Sequence, residues 1–203
     1  NEYNSDCKEI LQKYGEYSIK RLYLVRQPIT KLGKIILNIV TLYKFEQEMK
    51  KYMKSTKNDV FIPRHTSIII EIKLPDKTRK HILIEKNNCI KLALNFKLSS
   101  TQEIRKISIG RNKYTLKNLL EKTRERVGNN LYFNWSICRN NCQMLTKEIL
   151  ITLGKFNEKN KKFLFQNEFA NQVEFSEFSL HVINTTQNIC NSFENFIGRT
   201  LYF

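Results

Sequence analysis

Glycine and proline are scarce in this chain, with 6 and 3 residues among 203. This excludes a collagen-like or low-complexity polymer, while 41% hydrophobic residues are enough for a sizeable core. The longest apolar run, IILNIV at residues 35–40, is far too short to span a bilayer. The first ten residues, NEYNSDCKEI, are polar, so no secretory signal is predicted there. These features favour a folded domain.

Motifs for nucleotide binding are also missing, since the chain has neither a Gly-rich phosphate loop nor a dinucleotide fingerprint. Its cysteines, an odd number with no regular spacing, indicate free thiols in an intracellular, reducing compartment. Cys138 and Cys142 with a histidine would suggest zinc, but CRNNC lacks a second ligand pair. We therefore expect neither a metal nor another cofactor.

Acidic residues are few relative to basic ones, 19 against 35, which gives a formal net charge of +16. Such a charge favours nucleic acid, an anionic membrane or another acidic partner. Because lysine is spread along the whole chain, an ordinary solvated surface is the alternative. Tyrosine and phenylalanine among the lysines are compatible with single-strand binding, yet no nucleic-acid-binding motif accompanies them.

Hydrophobic periodicity divides the chain into three segments. Residues 1–57 predict some helix, a strand (KRLYLVRQPI) ended by Pro28, and an amphipathic helix that begins near Thr30. That helix either packs on the core or presents a basic surface. Residues 155–203 predict a linker, KFNEKNKKF, followed by a helical appendage.

The middle segment, residues 58–154, alternates in a way typical of an α+β domain. HTSIIIEIKL, KHILIEKN, CIKLALNFKL and the short RKISIG predict an antiparallel meander with a turn at Pro75-Asp76. A helix capped by Thr115 and stopped by Gly128 follows, with NLYFNWSIC as a short extended piece. A last helix begins near Cys142 and ends before Gly154.

The stretch RNNCQMLTKEIL places Cys142 at the start of that helix, where Asn140 or Asn141 is the predicted N-cap. Unpaired N–H groups and the helix dipole favour a thiolate there and can receive a developing oxyanion. Asn141 and Gln143 flank the thiol and are the candidates for positioning and oxyanion binding. The alternative is an ordinary buried thiol, because free cysteine is among the most buried residue types.

A nucleophilic thiol needs a base, and the chain has three histidines, His65, His81 and His181. His65 opens the first β-run of the middle segment. His81 and Glu85 lie four residues apart on the second, so they share one face of a strand. A carboxylate that ends the apolar run HILI needs a partner, and His65 is the obvious one.

The order of these elements resembles the circularly permuted papain-like thiol hydrolases, which include lecithin–retinol acyltransferase. The resemblance rests on RHTSIIIEI, then HILIEKN, then a helix ending in RERVG, then NNCQMLTKEIL, and covers roughly residues 58–154. It implies a permuted papain-like domain with Cys142 as nucleophile and His65 as base. The third member falls on the second strand, where Glu85 is preferred and His81 is the second choice.

One departure concerns the substrate. The acyltransferases follow Asn-Cys with Glu-His, whereas this chain has Gln143-Met144. The resemblance therefore implies a hydrolase or acyltransferase acting on an ester, thioester or amide carbonyl of an acyl or peptide-like substrate, without a lipid being named. The alternative is a catalytically silent structural protein of the same fold, for example in a viral particle, that binds nucleic acid or anionic membrane.

Overall fold

The computed structural model describes residues 2–28, 46–47, 50, 64–87, 89–110, 114–134 and 140–165. The strands are β1 (Ile19–Pro28), β2 (Arg64–Lys73), β3 (Arg79–Lys86), β4 (Ile90–Ala93) and β5 (Glu103–Ile107). The helices are α1 (Ser5–Tyr14), α2 (Leu116–Val127), α3 (Asn129–Phe133), α4 (Cys142–Thr152) and α5 (Glu158–Leu164). The α+β class predicted from the sequence is confirmed.

All five strands belong to one antiparallel sheet in the order β4-β3-β2-β1-β5. Because successive side chains of a strand point to opposite faces, alternate residues form one apolar layer. Helix α1 packs against β4, α4 packs against β2 and β3, and α2 packs against α4. The core formed in this way includes Leu22, Leu24, Ile68, Ile70, Ile72, Ile82, Ile84, Leu119 and Ile149.

Local signals placed several element boundaries correctly. Strand β1 ends at Pro28, as predicted. The turn between β2 and β3 lies at Pro75-Asp76, where Asp76 Oδ1 accepts the N–H of Thr78 at 2.9 Å. Helix α2 is capped by the Thr115 side chain and ends at Gly128, whose φ of +81° is readily adopted by glycine.

The predicted meander was wrong in one respect. RKISIG does not continue the sheet beyond β4, because β5 pairs with β1 at the opposite edge, with Leu24 facing Arg105. Strand β1 consequently lies between β2 and β5 inside the sheet. Strand spacing along the chain carries no information on which edge a strand joins, so this pairing depended on tertiary contacts.

The extended piece predicted at NLYFNWSIC was also wrong at its start, where α3 forms one helical turn. The N–H of Tyr132 donates to the Gly128 carbonyl at 2.9 Å, so the turn begins directly after α2. The ring of Tyr132 is buried, and its hydroxyl hydrogen bonds to Tyr3 at 2.7 Å. Aromatic burial therefore outweighs the local preference of these residues for an extended strand.

The linker predicted at KFNEKNKKF contains helix α5 instead. The Asn157 side chain caps it by accepting the N–H of Asn160 at 3.0 Å. Leu164 is buried, and the Arg26 guanidinium of β1 lies 4.5 Å from the centroid of the Phe163 ring. Phe163 and Leu164 are spaced among charged residues, and the charge of this stretch is typical of a solvated linker.

Some sequence predictions lie outside the described residues. They include the amphipathic helix near Thr30, Cys138, His181 and the appendage after residue 165. Residues 46, 47 and 50 belong to a second unit, in which Lys50 and Glu46 form an ion pair at 2.7 Å.

Among the helices of the described residues, none combines the length and the apolar character required to cross a membrane.

Candidate active site

The start of helix α4 is fixed by an asparagine cap. The Oδ1 atom of Asn141 accepts the N–H groups of Gln143 at 3.0 Å and of Met144 at 3.2 Å. Leu145 and Ile149, which are buried, hold the helix against the sheet. Of the two predicted caps, Asn141 is therefore the cap, and Cys142 is the first helical residue.

The thiol of Cys142 is half-buried and meets the first residues of β2. Burial would raise the pKa of this thiol, but hydrogen bonding and charge from His65, with hydrogen bonding from Thr66, lower it below its usual value. The Thr66 main-chain N–H is one of these donors. The thiolate is the form that acts as a nucleophile, and a lowered pKa beside an imidazole increases its population.

His65 links the thiol to a carboxylate. Its Nε2 atom lies 3.3 Å from Oε2 of Glu85, and its ring also hydrogen bonds to Cys142. Burial opposes the charged ring, yet the negative charges of Cys142 and Glu85 raise the pKa of His65 to about 10. Because Nε2 faces the carboxylate, we infer that Nδ1 is the nitrogen that hydrogen bonds to the thiol.

Glu85 remains ionised in this position. Burial alone would raise the pKa of the Glu85 carboxyl, but the hydrogen bond and charge of His65, together with Lys91, lower it. The structure thus brings Cys142, His65 and Glu85 together, with the imidazole in contact with both the thiol and the carboxylate. An ion pair of this kind is stabilised because each partner favours the charged form of its neighbour.

His81, the second choice for the third member, lies elsewhere. It pairs across the strands with Glu71, and its Nε2 atom is 3.3 Å from the Glu71 carboxylate. That carboxylate is buried and also meets Arg21 at 3.5 Å and Arg79 at 3.1 Å. The structure does not bring His81 to Cys142.

The two residues predicted for positioning and oxyanion binding differ in what they can offer. The Asn141 side-chain oxygen is an acceptor in both of its bonds to α4, so it orients the helix start. The Gln143 N–H is bonded to that oxygen and is already satisfied. The half-buried Gln143 side chain remains the part of that residue that can contact a substrate.

Sequence reasoning missed a buried lysine beside this site. Lys86 is only 1% exposed, and its ammonium donates to the carbonyls of Leu131 at 3.0 Å and Tyr132 at 2.9 Å and to Asn140 Oδ1 at 2.9 Å. Burial lowers the pKa of Lys86 to about 8. Asn140 also donates to the Asn134 carbonyl, so Lys86 fixes the chain just before Asn141 and Cys142.

A signal for Lys86 was present in the sequence. In HILIEKN, the side chains of residues 82, 84 and 86 share one face of a strand, and the first two are core isoleucines. The pattern predicts that Lys86 continues this apolar face. A buried ammonium there requires several hydrogen-bond acceptors, because it has lost its contacts with water. Its acceptors come from α3, which the sequence did not predict, and from the residue before Asn141.

Cys7 shows how an ordinary buried thiol differs from Cys142. It is fully buried in α1, where its Sγ donates to the Ile90 carbonyl at 3.3 Å and accepts the Leu92 N–H at 3.2 Å. Burial raises the pKa of Cys7 to about 11. The two thiols therefore shift in opposite directions, because Cys142 has a cationic partner and Cys7 is dominated by burial.

Two further features of the described residues bear on possible chemistry. Among these residues, no group of three or more His, Cys, Asp or Glu side chains is arranged to hold a metal ion. A cavity of about 670 Å³ lies over the sheet, and its lining includes Tyr23, Ile69, His81, Phe96 and Ile104. Cys142, His65 and Glu85 do not line it.

Similarity to known proteins assigns no family to this chain. It matches no protein-family model and no curated protein. No solved structure matches it either. What the site can do is therefore inferred from its side chains and their surroundings.

Proposed function

We propose that the protein is a cysteine-dependent hydrolase or acyltransferase that acts on an ester, thioester or amide carbonyl, within a domain of the permuted papain-like type. The observation that carries this proposal is the contact of His65 with both Cys142 and Glu85. In this arrangement the pKa of the thiol is lowered and that of the imidazole is raised. The chain order of these residues, with the histidine strand first and the cysteine helix last, also supports it.

In the first half of the reaction, the Cys142 thiolate attacks the carbonyl carbon of the substrate. Negative charge then develops on the carbonyl oxygen beside the N-terminus of α4, where the helix dipole stabilises it. The His65 imidazolium gives its proton to the leaving alcohol, thiol or amine as the bond to the acyl carbon breaks. The product of this step is a thioester between the acyl group and Cys142.

In the second half, His65 acts as a base. It takes a proton from water, or from an acceptor hydroxyl or amine, as the oxygen or nitrogen of that molecule attacks the thioester carbon. The carbon–sulfur bond breaks, Cys142 leaves as a thiolate, and His65 remains an imidazolium. Glu85 holds the ring in the orientation that both steps need and stabilises its positive charge.

The substrate class is defined by this chemistry as an acyl or peptide-like compound. Gln143 stands where the acyltransferases carry glutamate, so a lipid is not specified by the residues around the thiol. A reducing compartment suits the mechanism, because a low-pKa thiolate is readily oxidised elsewhere. Retention in an intracellular compartment is therefore part of the proposal.

An acyl-donating, thiol-directed probe tests the proposal. Peptide mass spectrometry should find the probe on Cys142 in the wild type, and Cys142→Ser or His65→Ala should abolish that labelling. His81→Ala is the matched control, since His81 also lies on the sheet and faces a carboxylate but does not meet the thiol. Absence of labelling at every pH from about 6 to 9, a range that brackets the ordinary pKa of histidine and cysteine, would contradict the enzymatic function. Equal loss of labelling with the His81 variant would contradict it as well.

A second candidate function rests on the formal net charge of +16. In it, the protein is a catalytically silent structural component, for example of a viral particle, that binds nucleic acid or anionic membrane. Such binding should weaken steeply with salt because it releases counterions. Salt-dependent binding to DNA, RNA or anionic vesicles by a chain whose Cys142 resists the probe would favour this candidate.

A further inference from the structure

Thr66 is a buried residue whose hydroxyl is not used to hold the fold together within the described part of the chain. It follows His65 on β2, is 2% exposed, and pairs across the strands with Arg26. Its Oγ1 atom is shielded from solvent and forms no hydrogen bond of ordinary geometry among the described residues. Buried hydroxyls normally find a partner, because leaving one unsatisfied destabilises the fold.

The surroundings of this hydroxyl point towards the thiol of Cys142. Helix α4 packs on β2, and the main-chain N–H of Thr66 hydrogen bonds to the Cys142 sulfur. The hydroxyl of Thr66 approaches the same sulfur, and its proximity contributes to the lowered pKa of Cys142. One residue therefore directs both a main-chain and a side-chain donor at the sulfur.

Packing alone does not account for a threonine at this position. A valine has the same shape, fills the same volume and adds no unsatisfied polar atom to the core. A hydroxyl at this position becomes useful when the neighbouring sulfur carries a negative charge, because it can then donate a hydrogen bond to that charge. The Cys142 sulfur carries that charge before it attacks a substrate and again when the acyl group leaves.

We propose that Thr66 is a further catalytic residue, whose hydroxyl donates a hydrogen bond to the Cys142 thiolate. This inference rests on the proposed function. The sulfur then has three donors, from His65 and from the N–H and O–H of Thr66, which orient it towards the substrate. The same bonds favour release of the thiolate when the thioester is cleaved, since a stabilised thiolate is the better leaving group.

The test compares Thr66→Val with Thr66→Ser in the full chain. The rate of alkylation of Cys142 by iodoacetamide is measured against pH, with peptide mass spectrometry separating Cys142 from the other cysteines. Thr66→Val should move the acid limb of this profile up by ~1 pH unit, the size expected for losing one hydrogen bond to a charged atom. Thr66→Ser keeps the hydroxyl and should restore most of the wild-type profile.

Stability gives the readout that separates a catalytic from a structural hydroxyl. Because Oγ1 forms no ordinary hydrogen bond to the described part of the fold, Thr66→Val should leave the urea midpoint unchanged or raise it while reactivity falls. A Thr66→Val profile that superimposes on the wild type, or a midpoint that falls together with reactivity, would overturn the inference.

The two proposals fail in different ways. If wild-type Cys142 reacts at low pH and depends on His65 but not on Thr66, only this inference is lost. If wild-type Cys142 is alkylated no more readily than Cys89, whose pKa is raised by burial, the proposed function is itself contradicted.

Discussion

Glu85 and Lys86 are consecutive residues of β3 whose side chains hold different halves of the site. The Oε2 atom of Glu85 lies 3.3 Å from Nε2 of His65. The Nζ atom of Lys86 donates at 2.9 Å to Oδ1 of Asn140, which stands two residues before Cys142. Because neighbouring residues of a strand point to opposite faces, two consecutive side chains of β3 can contact His65 on one side and Asn140 on the other. A slip of β3 by one residue would exchange them and dismantle both contacts.

The first prediction concerns pH. Since the pKa of Cys142 is lowered and that of His65 is raised to about 10, the thiolate–imidazolium pair should form at a pH below the ordinary pKa of a thiol. It should be lost on acidification, when the thiol is protonated, and above about pH 10, when His65 loses its proton. Alkylation of Cys142 should therefore begin at lower pH than that of Cys7, and turnover should fall on both sides.

Cys7 provides an internal reference for that measurement. The pKa of Cys7 is raised to about 11, so it should stay unmodified in the folded protein and react once urea unfolds the chain. Peptide mass spectrometry after a pH series reports both thiols in one sample. Equal reactivity of Cys7 and Cys142 at neutral pH would show that the ion pair is not formed.

The second prediction concerns the carboxylate. Glu85→Gln removes a negative charge that raises the pKa of His65, so that pKa should fall and the alkaline limb of activity should move to lower pH. NMR titration of the His65 ring measures the shift directly. Glu16→Gln is the control, because Glu16 is exposed and pairs with Lys117 rather than with His65. An unchanged His65 titration in the Glu85→Gln variant would contradict the arrangement.

The third prediction separates capping from electrostatics at Asn141. Asn141→Ala removes the cap of α4 and should destabilise the fold by ~1 kcal/mol. Asn141→Asp keeps an equivalent cap but places a negative charge next to the Cys142 thiolate, so the pKa of Cys142 should rise with little loss of stability. Urea unfolding and alkylation profiles measure the two effects. If the Asn141→Asp variant retains the wild-type alkylation profile, the electrostatic part of the prediction fails.

The fourth prediction concerns the buried ammonium. Lys86→Met leaves two main-chain carbonyls and the Asn140 side chain without their donor, which should destabilise the fold by about 3 kcal/mol. In the folded fraction, Cys142 should also react more slowly, because the chain before Asn141 is released. Urea unfolding and alkylation under native conditions measure both changes.

Lys80→Met is the matched control for that variant. Lys80 lies on the same strand but is exposed, so its substitution should change stability by less than ~0.5 kcal/mol and leave Cys142 reactivity unaltered. A loss of stability from Lys86→Met no larger than that from Lys80→Met would show that the three hydrogen bonds of Lys86 do not stabilise the fold.

Much of the site was predictable because its signals are local. An asparagine before an apolar helical pattern predicts a capped helix, and this placed Cys142 in the first turn. A carboxylate that ends an apolar strand requires a partner, and this joined Glu85 to His65. Choosing Glu85 over His81 depended on the resemblance, and the structure places His81 with Glu71 instead.

Other contacts were beyond local patterns. Two of the acceptors of Lys86 belong to α3, which forms because Tyr132 is buried against Tyr3, more than a hundred residues away in the chain. The pairing of β5 with β1 likewise depends on residues distant in sequence. Spacing and polarity describe what one segment needs, and they do not identify which distant segment supplies it.

The sequence by itself determined the α+β class, the capped helix that begins at Cys142 and the strands that carry His65 and Glu85, because periodicity and capping act over a few residues. Only the tertiary structure decided that Cys142 differs from Cys7. Both are free thiols near the start of a helix, and their pKa values shift in opposite directions. The reason is physical: burial raises the pKa of both thiols, and at Cys142 the charge and hydrogen bond of His65, with hydrogen bonds from Thr66, reverse that effect.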